Sequence, residues 1–279
     1  MNTPGPSPLR RLSVPGDSAA IGIIADNHNG SRHSADAHAD RIVAWTAKHC
    51  HAVIGGGDYV EAIPPSDKRW DPSCVRLGAD PADLIPEQFR DAREMLRPLD
   101  GRWLCFLKGN HEDRWIRQVG AASTFGALAR EVGADAVGYS ALFRVALWFN
   151  DPGGRKKRAG RPPSRIVEIA AHHGSGGGRT AGSKLGRPID WTAGLQRPNI
   201  VVQCHTHALG SWHECRLGLS DDERSLVDHP IAIVLAGTTA RSYTAGEAGY
   251  AERAQYRPVP MGRAVIRVYQ DETGIETIA

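Results

Sequence analysis

The apolar residues of this chain gather into short runs, and several runs end on a polar tip. Residues 19–25 are continuously apolar and stop at Asp26-Asn27-His28-Asn29-Gly30. Residues 51–54 repeat the pattern and open into Gly55-Gly56-Gly57-Asp58-Tyr59-Val60-Glu61, and residues 103–107 do so again before Lys108-Gly109-Asn110-His111-Glu112-Asp113-Arg114. Short apolar runs bounded by turn residues predict buried strands. Between them the spacing becomes helical: residues 35–50 with Ile42, Val43, Trp45 and Ala47 near one face, residues 87–99 through Phe89, Ala92, Met95 and Leu96, and residues 115–132 with a break near Gly120. The second half is richer in strands, at 142–149, 166–171, 200–204, 212–217, 231–235 and 264–269, with one helical stretch at 189–195. Residues 62–86 are rich in Pro and Asp without clear periodicity and predict a long surface excursion.

Length and composition narrow this picture. The 279 residues suit one large α/β domain over 19–279, and the Pro, Gly and Ser of residues 1–18 predict a flexible leader. A formal charge of +3 gives no global signature for nucleic acid or membrane. The basic segment 155–161 reads as a solvated hairpin connection, because it has no aromatic residue for base stacking. Five cysteines without a CxxC pair read as free thiols in a reducing compartment. No window is apolar enough to span a bilayer, so the expectation is a cytoplasmic protein with no membrane partner.

Chemistry concentrates at the strand tips. Asp26 and His28 stand at i, i+2 past the first run, Asp58 follows three glycines, and Asn110-His111 follow the central run. His172-His173-Gly174 and Cys204-His205-Thr206-His207 end two later runs. Open α/β sheets bind ligands at such carboxyl ends. Carboxylate, imidazole and amide donors together suit Mn, Fe, Zn, Co or Ni, with Mn favoured, rather than Ca or a thiolate site. The donors outnumber what one ion can use. Two ions sharing a carboxylate would employ them all, and metal pairs roughly 3.5–4 Å apart recur where phosphorus undergoes in-line displacement.

Asp26-x-His28, Gly57-Asp58, Gly109-Asn110-His111-Glu112, a His before Gly174 and His205-x-His207 resemble the five ordered motifs of the calcineurin-like metallophosphoesterase superfamily, over residues 19–209. The resemblance implies an αββα sandwich, four layers in which two mixed β-sheets are flanked by helices. It implies that Asp26, His28, Asp58 and His207 hold one divalent ion, and that Asp58, Asn110, His205 and a His from the 172–173 pair hold the other. The His-Gly form of the motif selects His173 and the His-x-Gly form selects His172; His173 is taken as the ligand. A hydroxide bridging the ions would attack the phosphate ester, His111 would protonate the leaving oxygen, and Glu61 would orient His111. Two departures stand out: Cys204 occupies a place where the family has Gly, and Ala62 stands where the protein phosphatases carry a phosphate-gripping Arg. Lys108, Arg114 and Arg179 are the remaining cations near the motifs. The implied activity is hydrolysis of a phosphate monoester or diester.

Three rival readings accompany it. A DNA or RNA nuclease of the same superfamily rests on the basic segment alone. A non-catalytic metal-binding scaffold predicts missing ligands, and a single structural zinc predicts one ion without a role in turnover. The segment Gly174–Lys184 fails as a phosphate loop because its order is Gly182-Ser183-Lys184 rather than Gly-Lys-Ser/Thr, and it reads as a mobile glycine loop or plain turn.

Overall fold

The structure is a computed structural model that describes residues 8–80, 82–119, 122–150, 161–220, 222, 224–246 and 249–278. In chain order its strands are β1 (Leu9–Ser13), β2 (Ala19–Ile24), β3 (Ala52–Gly55), β4 (Trp103–Phe106), β5 (Ser140–Trp148), β6 (Arg165–His172), β7 (Ile200–Gln203), β8 (Leu209–Leu219), β9 (Leu226–Thr238), β10 (Gly262–Val268) and β11 (Thr273–Ile278). The α-helices among the described residues are α1 (Asp36–His49), α2 (Leu84–Leu96), α3 (Asn110–Val119), α4 (Ala122–Glu131), α5 (Ala181–Thr192) and α6 (Tyr250–Arg253). The protein is thus a mixed α/β fold.

The unbroken apolar runs become strands buried on both faces. Every residue of β2, β3, β4 and β7 is buried. β2, β3 and β4 pair in parallel, as do β6, β7 and β9. One core joins the two groups, with Ile21, Ile23 and Ile54 meeting Val145, Val167, Ile169 and Val202. Full burial of each such side chain stabilises the fold by about 1.5–3 kcal/mol. The opposite face of β2–β4 packs on Ile42, Val43, Phe89, Leu96 and Leu128 of α1, α2 and α4. The far face of β6–β9 packs on Ile189 and Trp191 of α5.

The strand arrangement differs from the expected pair of separate sheets. The eleven strands form one hydrogen-bonded mixed sheet in the order β1-β5-β6-β7-β9-β10-β2-β3-β4, with β8 added to β9 and β11 to β10. Continuity comes from the length of β9, whose last residues Gly237 and Thr238 reach past β7 to pair with Arg263 and Gly262.

Other differences are local. Part of the predicted leader is structured: Leu9–Ser13 pairs in parallel with β5, and Arg10 Nε donates to the Leu104 carbonyl at 2.8 Å. Apolar content in residues 9–14 is too sparse to read as a strand, although Val14 is completely buried. Helix α2 starts earlier than its spacing suggested, at Leu84, and after Leu96 tightens into a 3-10 turn at Arg97–Leu99, where Pro98 has no N–H for an α-helical bond. Helix α5 likewise begins earlier, because Thr180 and Ser183 form a capping box that ends the glycine segment. The break near Gly120 and residues 155–160 of the basic segment lie outside the described residues. Among those described, no helix is long and apolar enough to cross a membrane.

Candidate metal centre

The polar tips converge because their strands run parallel and end at one edge. Asp26 lies just past β2, Asp58 just past β3, Asn110 opens α3 after β4, His173 lies just past β6, and His205 and His207 follow β7. Backbone bonds lock the first two tips together: Asp26 N–H donates to Gly57 O at 2.9 Å, and Asn27 and His28 N–H both donate to Asp58 O at 2.9 and 3.1 Å. Of eight non-glycine residues with positive φ among those described, five are Asp26, His28, Asp58, His205 and His207, with φ from 49° to 65°. Each such conformation costs on the order of 1–3 kcal/mol and persists where the surroundings impose it. Two glycines make the approach feasible. A Cβ on Gly57 (φ 90°) would stand 2.5 Å from Gly109 N, and one on Gly109 would stand 2.1 Å from Asp58 Oδ1.

Among the described residues three groups of donor atoms result, each drawn within 4.8 Å: His28 with Glu61 and His111, and two that span the strand tips, Asp26 with His28 and His207 and Asp58 with His173 and His205. Asp58 Oδ2 lies between them, 3.2 Å from His173 Nε2, 4.0 Å from His205 Nδ1 and 4.0 Å from His28 Nε2. Asn110 Oδ1 is 3.1 Å from His173 Nε2, and His207 Nε2 is 3.8 Å from Asp26 Oδ1. All seven expected ligands therefore meet in one place. His172 does not: its Nδ1 accepts from Gly174 N–H at 2.7 Å and its ring meets Trp191 edge-on.

Protonation in the metal-free protein follows from this crowding. Burial opposes charge on His28, but Glu61, with Oε2 2.9 Å from Nδ1, outweighs it and lifts the pKa to about 9. His28 Nε2–H then donates to His207 Nε2 at 3.1 Å, while burial and the His28 charge hold His207 well below its ordinary range. His173 is likewise buried, yet Asp58 raises it to about 10. Burial and the His173 charge lower His205 to about 4. Asp26 rises to about 6 through burial, whereas Asp58 stays well below the usual carboxylate range because His173 and His111 overcome its own burial. The cluster keeps itself near neutrality with protons on His28 and His173. Divalent cations fit it on these grounds: buried oxygen and nitrogen donors converge, and protons occupy nitrogens that would otherwise be ligands. His173 Nδ1–H donates to Gly56 O at 2.7 Å, which leaves Nε2 as the atom able to bind.

His111 stands beside this cluster. Its Nδ1–H donates to the Glu61 backbone carbonyl, and burial pulls its pKa down although Asp58 and Glu61 oppose that. The contact between His111 and Glu61 is made through other atoms than the expected carboxylate. The Glu61 carbonyl holds His111, while the carboxylate, 4.0 Å from His111 Nδ1, bonds His28.

Sequence reasoning missed two supports. Glu112, which closes the Gly109-Asn110-His111-Glu112 motif but has no role among the expected site residues, is completely buried. Its Oε1 accepts from Tyr59 and Val60 N–H at 2.7 and 3.2 Å, and its Oε2 accepts from Asp58 and Gly109 N–H at 3.0 and 2.9 Å. Arg263 is also buried, donates to the Ala25 carbonyl and interacts with the Asp26 charge. An Arg directly ahead of the apolar residues 264–266, in a strand that is otherwise buried up to Arg267, was the signal for it. Cys204 stays out of all three donor groups and is buried behind the site; its Sγ would lie 2.3 Å from a Cβ on Gly56. Ala62, in the place of the phosphatase Arg, is buried and donates its N–H to Gln88 Oε1 at 2.8 Å. Lys108 is paired with Asp113 at 2.5 Å and Arg114 with Asp67 at 3.4 Å. Arg179 remains, on the wall of a cavity of about 400 Å³ whose floor includes His28, Asp58, Asn110, His111 and His207. Trp70, Asp71 and Cys74 on one side and Arg241, Arg253 and Tyr256 on the other stand on its other walls, tied together by Arg253 to Asp71.

No family model matches the chain, and no curated protein does. Among solved structures it is similar to a conserved uncharacterised protein of Streptococcus pneumoniae TIGR4, described as a predicted phosphoesterase, at 11% identity over 94% of this chain and 90% of that one, with a TM-score of 0.40. A likeness at that level carries no argument about activity.

Proposed function

We propose that the protein is a metal-dependent phosphoesterase with a dinuclear centre, hydrolysing a phosphate monoester or diester. The observation that carries this reading is the position of Asp58 Oδ2 between imidazoles of two separate donor groups, where one carboxylate can serve two cations. Asp26, His28, Asp58 and His207 would hold one ion, and Asp58, Asn110, His173 and His205 the other. When bound, the ions supply Lewis acidity toward phosphate oxygens and lower the pKa of coordinated water.

The chain's own groups do the rest. Glu61 holds His28 through its carboxylate and His111 through its carbonyl, so one residue fixes both a ligand and the proton donor. With Nδ1–H committed to that carbonyl, His111 keeps Nε2 for the leaving oxygen; the doubly protonated ring, which the Asp58 and Glu61 charges favour against burial, would give its Nε2 proton there and return to the neutral Nδ1–H form. Glu112 fixes the backbone of Asp58 and of the two following residues. The buried floor limits water around the scissile bond, which strengthens each electrostatic contact.

The test is hydrolysis of a chromogenic phosphodiester with Mn²⁺ supplied. Turnover must vanish in EDTA, return on adding metal, and be absent in a folded Asp58→Ala variant. Hydrolysis that persists in EDTA would remove the proposal.

A further inference from the structure

We propose that the substrate carries a second anionic group besides the scissile phosphate, and that Arg179, Arg241 and Arg257 receive it. This rests on the phosphoesterase reading for the position of the first group. All three arginines line the same cavity as the donor cluster. They are exposed, and among the described residues none has a carboxylate partner within ion-pair distance. The other arginines there are already satisfied: Arg69 pairs with Asp67 at 3.2 Å, and Arg253 pairs with Asp71. Besides the donor residues, the acidic side chains on the described walls are Glu61, which is bonded to His28, and Asp71, which Arg253 and Ser73 occupy. Among the described residues, then, no free carboxylate in the cavity balances the three guanidinium groups.

General basicity does not explain this, because the whole chain carries only +3. Nor does the scissile phosphate. Two divalent ions against the carboxylates of Asp26 and Asp58 leave a surplus of about two positive charges, enough for one phosphate dianion. The wall arginines are additional to that balance. Arg179 is also placed by its surroundings: its guanidinium lies 5.7 Å from the Tyr256 ring centroid. Gly177 lets that segment close on the same ring, since a Cβ there would stand 2.6 Å from the Tyr256 hydroxyl. Tyr243 OH in turn donates to the Tyr256 carbonyl at 2.7 Å. A volume of about 400 Å³ suits a small molecule, such as a bisphosphorylated metabolite or a nucleotide with a further phosphate, rather than a polymer groove.

The experiment is calorimetry on the full-length protein as purified, titrated with inorganic pyrophosphate and, separately, with inorganic phosphate at constant ionic strength. Pyrophosphate should bind at least about tenfold more tightly, and Arg241→Ala and Arg257→Ala, both at exposed positions, should each remove about tenfold of that affinity while phosphate binding stays as it was. On the Mn²⁺-loaded enzyme the same variants should lower kcat/KM for a bisphosphorylated ester and leave a singly phosphorylated chromogenic ester unaffected. Equal affinity for the two anions, or variants that bind pyrophosphate like the native chain, would overturn the proposal. A single-stranded oligonucleotide that binds more tightly than pyrophosphate and is lost in these variants would overturn it in favour of a nucleic-acid substrate. Failure of hydrolysis with intact anion selectivity would remove the phosphoesterase reading alone.

Discussion

Replacing Glu112 by Gln tests whether a residue that touches no substrate sets the geometry of the centre. The carboxylate accepts four backbone N–H groups, two on each oxygen. Glutamine offers an oxygen to one pair and an NH2 to the other, so two donors are left facing a donor. Bonds to a charged acceptor are worth about 1.5–3 kcal/mol each, which puts the gross loss at roughly 3–6 kcal/mol. Part is returned, because burial and the Asp58 charge push the Glu112 carboxyl up to about 7 and its ionisation opposes folding. The net destabilisation should be about 2–4 kcal/mol, or roughly 3–7 °C in Tm for a chain of this size. Two of the four N–H groups belong to Asp58 and Tyr59, so Asp58 should shift and Mn²⁺ affinity should fall about 10–100-fold. Thermal unfolding and metal titration read both effects on the same sample. A variant with native Tm and native Mn²⁺ affinity would refute the assignment of Glu112 as the support of Asp58.

Two further outcomes follow from the same geometry. His111→Asn should lower kcat by about 10²–10⁴ on an ester with a poor alkoxide leaving group and far less on a nitrophenyl ester, with metal content unchanged; equal losses on both would argue against a proton-donor role. In chelator, His28 and His173 have pKa values lifted from 6.5 to about 9 and about 10, so the stability they contribute is full below 6.5 and is lost as pH rises through 9 to 10. Tm of the metal-free protein should therefore fall across that window, and saturating Mn²⁺ should reverse the trend, because metal takes the neutral imidazoles; a metal-free Tm that rises with pH there would contradict the proton assignment.

How much of this was legible in the sequence depends on the range of the interaction. Strands β2, β3, β4 and β7 declare themselves as unbroken apolar runs because both faces are buried, and each ends in a polar tip that sequence can place on the sheet edge. That pattern placed Asp26, His28, Asp58, Asn110, His205 and His207 at strand tips, whereas their selection as ligands, and that of His173 after β6, came from the resemblance to the metallophosphoesterase motifs. The continuity of the sheet through Gly237 and Thr238 was not, since it depends on how far β9 extends past its neighbour β7. Strand β1 was hidden because Arg10 and Arg11 interrupt its apolar pattern, while its partner β5 lies more than a hundred residues away. Glu112 and Arg263 escaped for a different cause. Their roles are set by backbone groups of Asp58 and Ala25, and a backbone donor leaves no trace in residue identity. The exchange of atoms at Glu61, with the carboxylate on His28 and the carbonyl on His111, is likewise decided by positions that spacing alone does not fix.

The most direct measurement is the number of metal ions held per chain, with their positions located by anomalous scattering from crystals grown with Mn²⁺. The account predicts two ions, both in contact with Asp58, both lost in Asp58→Ala, and one retained in His207→Ala. One ion per chain, or two ions neither of which touches Asp58, would contradict it.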